Sequence, residues 1–396
     1  MEREKKKKSL WKKILVIILA VIIAVLGILY GIWHYITKDI TGEKYIPNES
    51  TSVHNDKITE VVVPEGAEPT LPPEAEDGII DEIPDEEDIT NESITEPNKE
   101  PNNNEVTNNL KANILAWKDA GQPAHADGVT NILLIGMDIN SSNMNTNSRA
   151  DAMVIVSINH NTKKITLASI MRDQYCYVER TNGIGKFEKL HHACAYGGPA
   201  LQIQMIEKYY KISIDNYAVV NLYSLPKIID AVGGIDVNIT SNEAKYLNKT
   251  NKTSLTEGVN HLDGKNALRY MRIRYNTGGD TARVGRQRNV ITQLIKKLST
   301  QNVTTITSLI LEVSEYIRTG YSSNQMLSLA IEALTKGWFN YEIAQITLPD
   351  SDCARSYIVN GGWYWRTDFP IAAQKMQLAL YGTTNIVLDS NRKSWL

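Results

Sequence analysis

Three cysteines in 396 residues leave no basis for a disulfide-stapled scaffold. Cys176, Cys194 and Cys353 never form a CxxC pair, so the spacing of a structural zinc site is missing too. No repeat with a period of about 20–50 residues is visible, which excludes solenoids and propellers. The glycine pairs Gly197-Gly198 and Gly233-Gly234 lack the lysine of a phosphate-binding P-loop and read as turns that break helices. An excess of one charge is also lacking, because the formal net charge is −3, and that figure names no partner. With 42% hydrophobic and 22% charged residues, the chain is neither wholly disordered nor a polytopic membrane protein.

The near-neutral total conceals a partition. Residues 1–13 hold seven Lys/Arg against two Glu, and residues 39–109 hold 20 Asp/Glu against three Lys. The remainder, 110–396, is basic again, with 31 Lys/Arg against 23 Asp/Glu. Between foot and strap runs ILVIILAVIIAVLGILYGIW, residues 14–33, which has 20 residues and no charge. About 20 apolar residues cross a hydrocarbon core, and only a helix satisfies its own backbone there. The run is too long for a signal peptide, and its exit through Tyr30, Trp33 and Tyr35 is bulky and interfacial. We read 1–13 as a cytoplasmic tail and 14–36 as a single transmembrane helix. The lysines before Ile14 orient it with the rest of the chain outside the cell. Residues 37–109, acidic and rich in Pro, Asn and Thr, read as a disordered linker with a span of about 45 Å by the square-root rule.

The folded body is expected over 110–396. Helical spacing leads in at 110–120. Continuous apolar runs at 131–138, 152–158 and 165–171 read as buried strands, with a hairpin turn at 159–163. A helix opened by Pro199, a strand at 217–222, a helix at 224–232 and a strand at 235–239 follow. Further helices are predicted near 264–271, 284–299, 302–317, 323–336 and 370–381, with a strand at 341–348. Interleaved strands and helices with a hairpin give an α/β class, a mixed sheet between helical layers.

Charges gather at strand ends, where α/β sheets place ligands. Asp138 ends the first strand, Arg149 and Asp151 open the second, and Arg172-Asp173 ends the third. Arg272 and Arg274 lie two apart, and Asp280, Arg283, Arg286, Gln287 and Arg288 follow within nine residues. Arginine pairs bidentately with phosphate oxygens, and Mg²⁺ is commonly bound by one or two carboxylates together with substrate phosphate. Asp138 and Asp151 amid these arginines point to a Mg²⁺–pyrophosphate site. An ordinary salt-bridge network would use the same residue types, and charge alone leaves both readings open. Nucleic acid, the other partner of a cationic cluster, does not suit the extracytoplasmic placement.

The stretches NILLIGMD (131–138), RAD (149–151), KKITLASIMRD (163–173), AYGGP (195–199), YAVVNLYSLPKIIDAVGGIDVNI (217–239), LDGKNALRYMRIR (262–274) and DTARVGRQR (280–288) resemble the LytR-CpsA-Psr family of cell-envelope proteins. The resemblance covers roughly 128–385. It implies an α/β/α sandwich and a transferase. Such an enzyme moves an anionic, teichoic acid or capsule-like glycopolymer from an undecaprenyl pyrophosphate carrier to peptidoglycan through a phosphodiester. By resemblance, Asp138 and Asp151 match the Mg²⁺-associated carboxylates. Arg149, Arg172, Arg272, Arg274 and Arg283 match the pyrophosphate clamp, with Gln287 in the same site and Arg286 assigned beside it. Asp280 matches the carboxylate near the attacking hydroxyl.

This chain departs from the family pattern at His191, where Asn is common, at Cys194, where Tyr is common, and at Ala282 in place of a frequent Gly. Without a second His/Cys cluster, His191 and His192 read as structural. Cys176 and Cys194 each flank a site motif, so a bridge between them is conceivable. Trp363-Tyr364-Trp365 suits packing of a terminal strand better than sugar stacking. The rival functions are a non-catalytic envelope-binding or regulatory protein, transfer of a glycan to a surface protein, and pyrophosphatase action with water as acceptor.

Overall fold

The structure is a computed structural model and describes residues 51–52, 58–59, 104–180, 184–273, 279–390 and 392–396. The apolar segment 14–36, Arg274 and most of the linker lie outside the described residues. Among the described helices none is long and apolar enough to cross a membrane.

The body opens with α1 (Asn104–Asp119) and β1 (Val129–Met137), followed by β2 (Ala150–Asn159) and β3 (Lys164–Ile170). A hairpin of β4 (Tyr175–Glu179) and β5 (Gly185–Lys189) precedes α2 (His192–Tyr210) and β6 (Asn216–Asn221). A small unit follows: α3 (Ser224–Ala231), β7 (Ile235–Ile239), α4 (Ser241–Asn251), β8 (Gly258–Leu262) and α5 (Gly264–Arg272). Then come α6 (Gly279–Ser299), α7 (Val303–Val313), the short β9 (Arg318–Thr319), α8 (Ser323–Thr335) and β10 (Glu342–Leu348). The chain ends with the hairpin β11 (Ala354–Val359) and β12 (Gly362–Thr367), and α9 (Phe369–Tyr381).

The main sheet has six strands in the order β9-β6-β1-β2-β3-β10. β6 is parallel to β1 and β10 to β3, while the other neighbours are antiparallel. Alternation sorts its side chains onto two faces. Leu133, Ile135, Met153, Ile155, Ala168 and Ile170 join one core with Trp117 of α1, Ile206 of α2 and Met376 of α9. Val154, Ile158, Ile165 and Leu167 face the other way, onto Ala333 of α8, Trp338 and Ile291 of α6. The result is a helix–sheet–helix sandwich. A third core, with Ile229, Val237, Leu247, Leu262 and Ala267, holds the small unit against Val290 of α6.

The structure sharpens four expectations. First, α1 begins at Asn104, inside the expected linker, and Thr51–Ser52 and Ile58–Thr59 pair in parallel with Ala124–His125 and Ile386–Val387. The average composition of the strap hid short β-branched stretches suited to adding onto sheet edges. Second, the helix opened by Pro199 runs to Tyr210 as expected, but a short helical stretch from His192 precedes it across a kink at Gly197 and Gly198, and together they make α2. Gly198 has φ 65°, and a Cβ there would sit 3.0 Å from Asn147 Oδ1, so glycine admits the loop after β1. Third, Cys176 and Cys194 are both free and buried, and no bridge joins them. Burial pushes the Cys176 thiol up, and that of Cys194 up to about 12, so neither is a ready nucleophile. Fourth, Trp363-Tyr364-Trp365 is a packed strand, as expected, and its partner is β11 in a hairpin. Tyr364 turns inward onto Tyr175, while Trp363 stays 36% exposed.

Candidate active site

One edge of the sheet collects the ends of β1, β3, β6 and β10 and, because β2 runs antiparallel, its start. The chain therefore returns to this edge with Asp138, Arg149, Asp151 and Arg172 in turn. Asp151 owes its place to an irregularity. Gly136 pairs with Ala152 and Met137 with Ala150, so Asp151 is the extra residue of a β-bulge. Bulges re-aim a side chain that regular pleating would bury or expose.

Arg172 lies just beyond β3 and forks between two carboxylates. Its Nη1 donates to Asp151 Oδ1, and its Nε donates to Asp173 Oδ2 at 3.3 Å. Lys189, at the end of β5, reaches Asp173 Oδ1 at 3.0 Å. His191 Nδ1 stands 3.6 Å from Asp151 Oδ1. Burial by itself would raise the Asp151 carboxyl, but His191 and Arg172 more than offset it and hold the group well below the usual carboxylate range. Burial also pulls against the Arg172 guanidinium, and Asp173, Asp151 and Asp280 together hold it more firmly protonated than usual. Burial pushes the His191 imidazole down to about 4, so it is neutral at pH 7.

A second ion pair opens α6, where Arg283 meets Asp280 at 2.6 Å across one helical turn. Asp280 contributes to the field on Arg172, which places this helix start beside the bulge. A third joins Asp138, after β1, to Arg272, the last residue of α5, at 3.5 Å. Arg149 is half-buried immediately before β2, and Gln287 is half-buried on α6. The two carboxylates suit a hard cation whose remaining ligands are substrate oxygens. Among the described residues no group of three or more His, Cys, Asp or Glu could hold a metal alone.

Arg286 serves packing between elements. It is 4% exposed, and its Nη1 meets Glu243 Oε1 at 3.2 Å while Nη2 donates to the Ile273 carbonyl. It ties α6 to α4 and α5. Arg288 likewise serves packing, with bonds to Ser169, Thr347 and Gln345 that fasten α6 onto β3 and β10. Sequence reading missed Lys189 and Arg318. Lys189 pairs across the β4–β5 hairpin with Tyr175, which returns it to Asp173, and an alternating run after a turn would have signalled that. Arg318 on the edge strand β9 donates to Asn147 Oδ1 at 2.9 Å, and no local pattern announces so distant a contact.

Residues 88–379 match the LytR_cpsA_psr family. The chain is 34% identical over 205 residues to a polyisoprenyl-teichoic acid–peptidoglycan teichoic acid transferase TagU of Enterococcus faecalis, covering 51% of this chain and 64% of that protein. The match thus spans somewhat less than two thirds of that relative's length. The fold resembles protein gbs0355 from Streptococcus agalactiae, with TM-score 0.54 and 25% identity over 67% of this chain and 91% of that one. It also resembles B. subtilis TagV, with TM-score 0.52 and 23% identity over 66% and 100%. The mixed-sheet sandwich, the ordered motifs at its edge and the matched span together establish that the chain belongs to the LytR_cpsA_psr family.

Proposed function

We propose that the protein is a Mg²⁺-dependent phosphotransferase that moves an anionic glycopolymer from an undecaprenyl pyrophosphate carrier to peptidoglycan. The observation that carries this reading is Asp151 in its bulge, bonded to the buried Arg172 beside the Asp280–Arg283 pair. The TagU relative acts, by its name, on polyisoprenyl-linked teichoic acid and peptidoglycan, which agrees with this choice of donor and acceptor.

Arg149, Arg172, Arg272, Arg274, Arg283 and Gln287 bind and orient the donor's two phosphates. Asp138 and Asp151 hold Mg²⁺, which when bound supplies charge neutralisation on the phosphate oxygens. Phosphoryl transfer depends mainly on positioning and electrostatics, so a rigid arginine fork matters more than a covalent partner. Asp280 takes the proton of the attacking sugar hydroxyl. The start of α6 adds the positive end of a helix dipole beside the phosphates. The N-terminus lies in the cytoplasm, residues 14–36 anchor the chain in the cell membrane, and the body works outside.

The test is to incubate the soluble body with a polyprenyl pyrophosphate saccharide labelled in its sugar, Mg²⁺ and peptidoglycan. Label should enter peptidoglycan only when both are present. Label retained on the lipid, carried to an added surface protein, or released into water would favour the non-catalytic, protein-glycosylating and pyrophosphatase functions respectively.

A further inference from the structure

His191 is wedged between the two charges that define the site. Its backbone N–H donates to the Arg172 carbonyl at 3.3 Å, and its own carbonyl accepts from the Ala150 N–H at 3.2 Å. One residue thus staples the bearer of the guanidinium to the residue before Asp151. The ring is buried, and neither ring nitrogen has a hydrogen-bond partner at normal length. Nδ1 faces Asp151 Oδ1 at 3.6 Å, the same oxygen that Arg172 Nη1 meets. Neither contact uses Oδ2.

The ring's other face is fixed as well. His191 stacks on His192 with centroids 4.7 Å apart and planes 18° apart. His192 Nδ1 lies 2.6 Å from Glu188 Oε2, and the Tyr196 hydroxyl donates to that oxygen at 2.8 Å. A bulged residue has left the regular ladder, so its side chain needs restraints from elsewhere. A buried ring nitrogen facing it from a clamped ring is such a restraint.

We infer that His191 is a positioning residue for Asp151. Its Nδ1–H and Arg172 together fix Oδ1, so that Oδ2 faces the incoming phosphate and its cation. The inference rests on the reading of Asp151 as a carboxylate of the transfer site. The side-chain nitrogen of Asn stands as many bonds from Cα as Nδ1 of His, so His191→Asn keeps the donor. His191→Leu fills much of the volume without one.

Two measurements on the full chain in detergent test this. In the first, ¹⁵N-histidine spectra at pH 7.5 should show the His191 ring protonated on Nδ1, with its signals shifted in Asp151→Asn. A wild-type ring protonated only on Nε2 would overturn the inference whatever the activity. In the second, His191→Leu should lower kcat at least tenfold while KM for the donor changes less than threefold. His191→Asn should keep kcat within threefold at the same Tm. Equal losses in both variants, or a wild-type kcat in His191→Leu, would overturn it. A wild-type chain without any transfer would instead sink the proposed function and leave the ring-proton measurement to decide the positioning role.

Discussion

Asp138 and Asp151 share one sheet edge, yet their surroundings make opposite demands. Asp138 and its partner Arg272 are 39% and 56% exposed, so water screens the pair. Such pairs contribute about 0–1 kcal/mol. Asp151 and Arg172 are 15% and 11% exposed, and removing one partner of a buried pair costs about 3–5 kcal/mol. Asp151→Ala should therefore lose about 3 kcal/mol of stability in urea titrations and Asp138→Ala less than about 1, although both should lose transfer. Equal losses of stability would contradict the burial argument. Arg172→Lys keeps the charge but cannot span Asp151 and Asp173 together, so kcat should fall by about 10²-fold. A wild-type rate would mean that charge suffices without shape. Away from the site, Lys211 caps α2 with φ 52° and is 1% exposed. Its Nζ donates to the Lys118 carbonyl at 3.3 Å and lies above the Trp117 ring. Burial pushes it down to about 7 from the ordinary 10.5. Its neutral form favours the fold, so stability is greatest above pH 10.5, falls as pH drops toward 7, and is constant below. Lys211→Met should add about 1–3 kcal/mol at pH 7 and flatten that slope, as thermal melts across pH 7–10 would record.

At the scale of elements, α6 joins two of the three cores, with Val290 in the small unit and Ile291 and Ile295 against the second face of the sheet. Its N-terminal turn carries Asp280 and Arg283 toward the site, Arg286 grips the small unit, and Arg288 grips the sheet. Arg288 Nη1 bonds Ser169 Oγ at 2.8 Å and Thr347 Oγ1 at 2.7 Å, and Nε bonds Gln345 Oε1 at 3.1 Å. Three such bonds, each worth about 1 kcal/mol, predict that Arg288→Leu loses about 2–3 kcal/mol and slows transfer without changing donor chemistry. Chemical denaturation with parallel rate measurements would show it. These arginines also mark where the sequence stopped being legible. Apolar runs and turn residues located five of the six main sheet strands within two residues, because burial on two faces writes itself into composition, while the two-residue β9 is too short to leave such a run. A shared motif placed Arg283, Arg286 and Arg288 near one another, but spacing does not say which side of the helix meets which core. The fate of Arg286 therefore had to come from Glu243, 43 residues earlier. The Asp151 bulge was equally hidden, because β2 reads as a nearly continuous apolar run with no alternation for an extra residue to break.

For the whole molecule, the sandwich brings residues 138, 151, 172, 191 and 283 to one region although they span more than a third of the chain, and the proposed chemistry depends on that convergence. The central claim is transfer of a phosphoryl-linked polymer, not of a bare sugar. The most direct test places ³²P in the donor phosphate next to the saccharide and follows it in the presence of Mg²⁺ and peptidoglycan. The account predicts that ³²P enters the wall in step with the sugar, that unlabelled polyprenyl phosphate remains, and that Arg172→Lys abolishes most of this. Sugar entering the wall while ³²P stays with the lipid would contradict it.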